Sequence, residues 1–154
     1  LGLDQFDSEL VVQLLRLMVQ TSVDYTIFFR ELSEIPDDIS TLKKSFYKEP
    51  TEALDTQWRQ WLMKWRSLIN NNQNLEELSQ QMKRINPKYT WREWLIVPAY
   101  QKAANGDFTL IHELQTVLNN PYDEQSPEIE NKFYRLKPQA FMQAGGISHY
   151  SCSS

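Results

Sequence analysis

The sequence predicts an all-α fold: an irregular bundle of about six to seven helices with an extended C-terminal tail. Three observations carry this. Apolar residues recur at three- and four-residue intervals along most of the chain to about residue 120. No segment keeps the strict alternation of a half-buried strand. The 154 residues include only four Gly, too few for a turn-dense β sandwich.

Each element has its own warrant. Asp7 or Ser8 can cap a first helix running to about Thr21, with Leu10, Val11, Leu14, Leu15, Leu17 and Met18 at helical spacing. A second runs from Val23 to about Glu34, placing Ile27, Phe28 and Leu32 near one face; its β-branched and aromatic content would also permit a strand. Pro36-Asp37-Asp38 marks a turn, after which Asp38 can cap a shorter helix carrying Ile39, Leu42, Phe46 and Tyr47.

The clearest element runs from Pro50 to about Ile69. Leu54, Trp58, Trp61, Leu62, Trp65, Leu68 and Ile69 form one apolar stripe at helical spacing. Three tryptophans on such a stripe read as a core anchor. A base-stacking platform would also need an adjoining basic groove. Asn74 with Glu77 resembles a capping box opening a helix with Leu75, Leu78, Met82 and Ile85. Asn86-Pro87 ends that helix and is expected to open the next, which carries Tyr89, Trp91, Trp94, Leu95, Ile96 and Tyr100 and should kink at Pro98. Asn105-Gly106 stops it. Asp107 caps a last helix with Leu110, Ile111, Leu114, Val117 and Leu118, ended by Asn120-Pro121. Beyond Pro121 the periodicity fails. The expected organisation is a helical domain over 1–120 and an irregular tail over 121–154.

Composition narrows the function classes. Apolar residues make up 41% and charged residues 23%, a globular balance. The net charge of -4 argues against nucleic acid, which needs a concentrated positive face. Lys43-Lys44 and Lys83-Arg84 read as solvated helix faces. No apolar run approaches the roughly 20 residues of a membrane helix, so no membrane partner is expected. Leu1-Gly2-Leu3-Asp4-Gln5 has neither the basic nor the apolar region of a signal peptide. With no initiator Met, the chain reads as a fragment or a processed form.

Chemistry-bearing residues are few. No glycine-rich phosphate loop is present. His112 falls on the polar part of the last helix and should be exposed. His149 and Cys152 form a His-x-x-Cys pair, but two ligands are too few for structural zinc. As a nucleophile, Cys152 would need a rigidly placed base, and the tail offers no predicted support. Asp123 and Glu124 are not singled out as an acid/base pair. Catalytic, cofactor-binding and metal-binding residues are therefore all expected to be absent from this segment. Cys152 reads either as an incidental exposed thiol or as one that pairs with a thiol outside this segment.

Several short runs resemble those of one known family. Ser151-Cys152-Ser153-Ser154 resembles the terminus of the selenoprotein O family, where a selenocysteine or cysteine stands third from the end. Asn86-Pro87-Lys88-Tyr89, Gly106-Asp107-Phe108 and Asn120-Pro121-Tyr122-Asp123-Glu124-Gln125 resemble runs of that family in the same order. So do Asp24-Tyr25-Thr26 with Phe29-Arg30, and Leu1-Gly2-Leu3. Two departures stand out. Trp91-Arg92-Glu93-Trp94-Leu95 replaces a Leu-Arg-Asn-x-Leu type of run, and the stretch near Leu136-Lys137-Pro138 replaces the tail's Pro-Pro-x-Trp.

The resemblance implies a parent chain that is a cytoplasmic, bacterial protein adenylyltransferase. An upstream kinase-like domain would bind ATP with Mg²⁺ or Mn²⁺ and transfer AMP to hydroxyls of protein substrates. The present segment would be its structural and regulatory C-terminal region, partnered by that domain and by protein substrates, with Cys152 as a redox thiol able to bond a cysteine of the kinase-like domain. The alternative is a free-standing helical protein-interaction module with no enzymatic role.

Overall fold

Helices begin where a short polar side chain can accept an otherwise orphaned amide hydrogen. Asp7 accepts from Leu10 at 2.8 Å, Asp24 from Ile27 at 3.1 Å, Asn74 from Glu76 at 3.1 Å and Ser126 from Ile129 at 3.4 Å. A computed structural model describes residues 1–69 and 74–142. Among them it shows α1 (Ser8–Thr21), α2 (Tyr25–Leu32), α3 (Glu52–Ile69), α4 (Leu75–Ile85), α5 (Glu93–Ala104), α6 (Thr109–Asn119) and α7 (Pro127–Phe133). Two 3-10 turns, Leu42–Ser45 and Gln139–Phe141, complete the regular structure. There is no strand among the described residues; Val23 and Phe46 form one isolated antiparallel bridge. The fold is an all-α bundle, as the spacing predicts.

The chain divides into two compact units, Leu1–Pro87 and Lys88–Ser154. That division lies inside the stretch expected to form one helical domain.

In the first unit, α3 is the spine. Trp58, Trp61 and Trp65 are 0, 2 and 0% exposed and pack with Leu10, Leu14, Phe28, Leu32 and Leu62. Burying an indole hides an N–H donor, which must find an acceptor or cost a few kcal/mol. All three find one. Trp58 Nε1 donates to Thr21 Oγ1 at 2.9 Å, Trp61 Nε1 to the Leu10 carbonyl at 3.0 Å, and Trp65 Nε1 to the Leu1 carbonyl at 2.8 Å. Trp61 and Trp65 stack with ring planes 7° apart. The stripe is therefore core, as its spacing predicts.

The second unit has a smaller core of Tyr89, Trp94, Leu95, Ala99, Leu114, Val117 and Phe133. Pro98 lies inside α5 and Gly106, at φ +83°, follows its end.

Three elements differ from expectation. The segment after Asp38 makes a 3-10 turn, not an α-helix: the Asp38 carboxylate accepts from Ser40 two residues on, an Asx turn that competes with helix initiation. Asn86-Pro87 opens no helix, and α5 begins at Glu93. The amides of Lys88 and Tyr89 both donate to the Pro121 carbonyl, at 2.8 and 3.0 Å, which draws this stretch into a non-helical joint. Chain expected to be irregular beyond Pro121 contains α7. Ser126 caps it, Pro127 stands in its first turn, Glu128 and Glu130 complement its N-terminus, and Phe133 is buried.

Two loops hold unusual backbone. Ile35 sits at φ 51°, costly for a β-branched residue. Arg66 clamps it: Nη1 donates to the Ile35 and Pro36 carbonyls, both at 2.8 Å, and Nη2 pairs with Asp37 at 2.7 Å. Gly2, at φ +65°, lies so close to α4 that a Cβ would stand 2.7 Å from Met82 Sδ and 3.0 Å from Leu78 Cδ1.

Two predictions follow from these positions, both read by urea unfolding. Gly2→Ala should lower stability by about 1–3 kcal/mol, through left-handed strain and overpacking against Met82. Ser22, exposed at the end of α1 with φ 56°, should tolerate glycine, and Ser22→Gly should raise stability by up to about 1 kcal/mol. Unchanged midpoints in both variants would contradict this account of the backbone.

Candidate functional site

Neither Cys152 nor His149 can be placed, because both lie outside the described residues. His112 is exposed on α6, as its pattern predicts. Among the described residues no three His, Cys, Asp or Glu side chains gather where they could hold a metal ion. No helix there is long and apolar enough to cross a membrane.

What the structure does bring together is two of the sequence runs singled out above. Lys88 and Tyr89 give their backbone amides to Pro121, and Lys88 Nζ reaches the Glu124 carboxylate. Glu130, from α7, pairs with the same ammonium at 3.0 Å, and the Tyr134 ring centroid lies 4.9 Å away. The Lys88 side chain is 6% exposed, whereas both carboxylates keep access to water. Gln125 completes the joint by donating to the carbonyls of Val117 and Asn120 at 2.9 and 3.0 Å, the last turn of α6. Segments more than thirty residues apart in sequence are thus locked around one buried cation.

Burial alone would lower the Lys88 pKa; hydrogen bonds to Glu124 and then Glu130 outweigh it, and the net shift is upward. The node is a saturated structural ion pair, with no free base or nucleophile. Nothing local in the Asn86-Pro87-Lys88-Tyr89 run tells a buried lysine from an exposed one, so the burial of Lys88 is not readable from sequence.

The other runs also resolve into joints. Asp24 caps α2 and accepts from the Tyr47 hydroxyl at 3.2 Å. Arg30 is buried, and its Nη1 donates to the carbonyls of Lys83 and Asn86 at 3.1 and 3.2 Å. A cation there also meets the negative end of the α4 dipole. Asp107 accepts from the Thr109 amide at 3.0 Å, and that residue's side chain and amide lower its pKa. The basic pairs, expected to be merely solvated, have acidic partners: Lys43 with Asp55 at 2.9 Å, Lys44 with buried Glu31 at 3.0 Å, and Lys83 with Glu34 at 2.8 Å.

A groove of about 520 Å³ runs along α1 and α3. Gln13, Arg16 and Gln20 form one wall, Gln57, Gln60 and Lys64 the other, over Trp61. It is lined by amides and two cations and contains no acid/base pair.

The Lys88 node sets a pH dependence. A raised folded pKa contributes stability that is present below the unfolded lysine value of about 10.4 and is lost as pH rises through the folded value. Lys88→Met should therefore flatten the alkaline fall in the stability of the Lys88–Phe141 region. It should also cost about 1–2 kcal/mol at pH 7, since the abandoned carboxylates can rehydrate. Amide hydrogen exchange of α7 against pH measures both, and an identical alkaline profile in the variant would refute the assignment.

Comparison with known proteins places this arrangement in a family. Residues 1–119 match the family described as protein adenylyltransferase SelO. The chain is similar to the protein nucleotidyltransferase YdiU of Flavobacterium johnsoniae, at 34% identity over 96% of this chain and 30% of that protein. Its likeness to the YdiU proteins of Xanthomonas euvesicatoria pv. vesicatoria and Aromatoleum aromaticum is 31% and 30%, covering 96% and 100% of this chain and 29% and 31% of theirs. The chain thus spans about 30% of the length of these relatives. With the match running over residues 1–119, from the glycine packed on Met82 through the Lys88 and Tyr89 joint to the end of α6, this chain belongs to the SelO protein adenylyltransferase family.

Proposed function

We propose that this chain is the structural and regulatory C-terminal region of a cytoplasmic bacterial protein adenylyltransferase. In this reading an upstream kinase-like domain binds ATP with Mg²⁺ or Mn²⁺ and transfers AMP to hydroxyls of protein substrates. One observation carries it: the family match covers most of the chain, while the chain spans only about 30% of relatives named protein nucleotidyltransferases. Nucleotide and metal ligands are assigned to polypeptide outside this chain, because many of the described carboxylates are committed to caps and ion pairs and no three of the described acidic, His or Cys side chains gather at one point. When bound there, the metal would supply charge neutralisation of the phosphates; the helices described here would contribute a rigid extension.

Cys152 is the residue assigned to regulation. Its thiol, third from the end, would form a disulfide with a cysteine of the kinase-like domain. Two electrons and two protons would pass to a thiol oxidant, and reductant would reverse the step. Bonding requires the two Cα atoms to come within about 7 Å, so the tail must dock on that domain.

AMP transfer by the parent chain, with and without dithiothreitol, tests the regulatory half in wild type and Cys152→Ser. Activity should rise severalfold on reduction in wild type and stay constant in the variant. An equal response in both would remove Cys152 from regulation. Calorimetry of ATP against the 154-residue chain tests the division of labour; tight binding there would overturn it.

A further inference from the structure

Helix α1 is apolar on two opposite sides. Leu10, Leu14 and Leu17 face the core and are fully or almost fully buried. Val12, Leu15 and Val19, at i, i+3 and i+7, share another face roughly half a turn away, and they are 45, 49 and 80% exposed. A surface helix normally carries one apolar stripe and sets polar residues opposite it; a helix apolar on two sides is one buried on two sides. Single exposed aliphatics are ordinary, but three in register form a contiguous strip. Arg16, beside the strip, has no ion-pair partner among the described residues, although neighbouring Glu9 pairs with Lys64 at 3.0 Å. An apolar centre with an uncommitted cation at its edge has the make-up of an interface centre and rim.

Two observations indicate what covers it. Most of the length of the YdiU relatives lies outside this chain. Residues 1–7 lead directly into α1, and the Trp65 indole holds the Leu1 carbonyl, so polypeptide joined at Leu1 would emerge next to Trp65 of α3, seven residues ahead of this helix. We infer that the Val12–Leu15–Val19 face of α1 is the seat of the upstream part of the parent polypeptide, not of a second copy or a separate partner. The inference rests on the reading of this chain as part of a longer enzyme. It adds which face joins the two parts.

The test uses the full parent chain. In a Cys152→Ser background, Val19→Cys places a thiol at the most exposed position of the strip. Its alkylation by N-ethylmaleimide is followed by peptide mass spectrometry, in native protein and in urea. Native labelling should be at least tenfold slower than denatured labelling and independent of protein concentration from about 0.1 to 10 µM. Labelling within twofold of the denatured rate would overturn the inference, and so would protection that disappears on dilution, which would assign the face to a second copy. Hydroxyl-radical footprinting of Leu15 and Val19 in the unsubstituted parent gives the same readout without a variant, with low oxidation expected and free oxidation overturning it. Neither measurement uses AMP transfer or redox response. A parent insensitive to Cys152→Ser but protected at Val19 would sink the regulatory proposal alone; the converse would sink this one alone.

Discussion

The three indole hydrogen bonds of α3 are the constraint on which the first unit depends. Tryptophan offers the largest apolar surface of any side chain, but burying its N–H without an acceptor costs a few kcal/mol. As α3 runs forward from Trp58 to Trp65, the acceptors run backward from Thr21 through Leu10 to Leu1. That order sets the direction and register of α1 against α3 and ties down the N-terminal residues. Apolar packing alone, being non-directional, would permit a slipped arrangement of similar buried area. The Gly2 approach to Met82 is a consequence: Leu1 can reach Trp65 only if the backbone passes hard against α4.

The second unit solves a comparable problem with a cation. Its core is small and its last helix has only seven residues, too short to persist alone. Lys88 gathers Glu124 and Glu130 and lies over Tyr134, so loop, short helix and entry strand of chain share one buried charge. Lysine is suited to this because its ammonium presents three donors to partners arriving from different directions. Removing it would leave acidic groups that water can still reach, so the node specifies geometry more than it adds stability.

Several of the described residues that carry the family likeness prove to be joint residues. Asp24 caps, Arg30 closes the end of α4, Pro121 accepts two amides and Gln125 closes α6. None is free to act on a substrate. A segment whose distinctive polar groups are spent on its own architecture leaves its uncommitted surfaces as the places to look for contact with other polypeptide. The α1 strip and the amide-lined groove beside it are two such surfaces among the described residues of the first unit.

Helices α1, α3, α4 and α6 were legible in the sequence because they depend on local physics: the 3.6-residue period of the Trp58–Trp65 stripe, the caps at Asp7 and Asn74, and the stop at Asn105-Gly106 between α5 and α6. The family was legible because several short runs stand in order. Tertiary structure alone decided that Asn86-Pro87 leads into a joint, since the competing acceptor, Pro121, lies 33 residues beyond Lys88. It alone decided that Lys88 and Arg30 are buried, since a charged side chain enters a core only when distant partners meet it there. It also decided that α1 shows water a second apolar face, because periodicity reveals which residues share a side but not which side is covered.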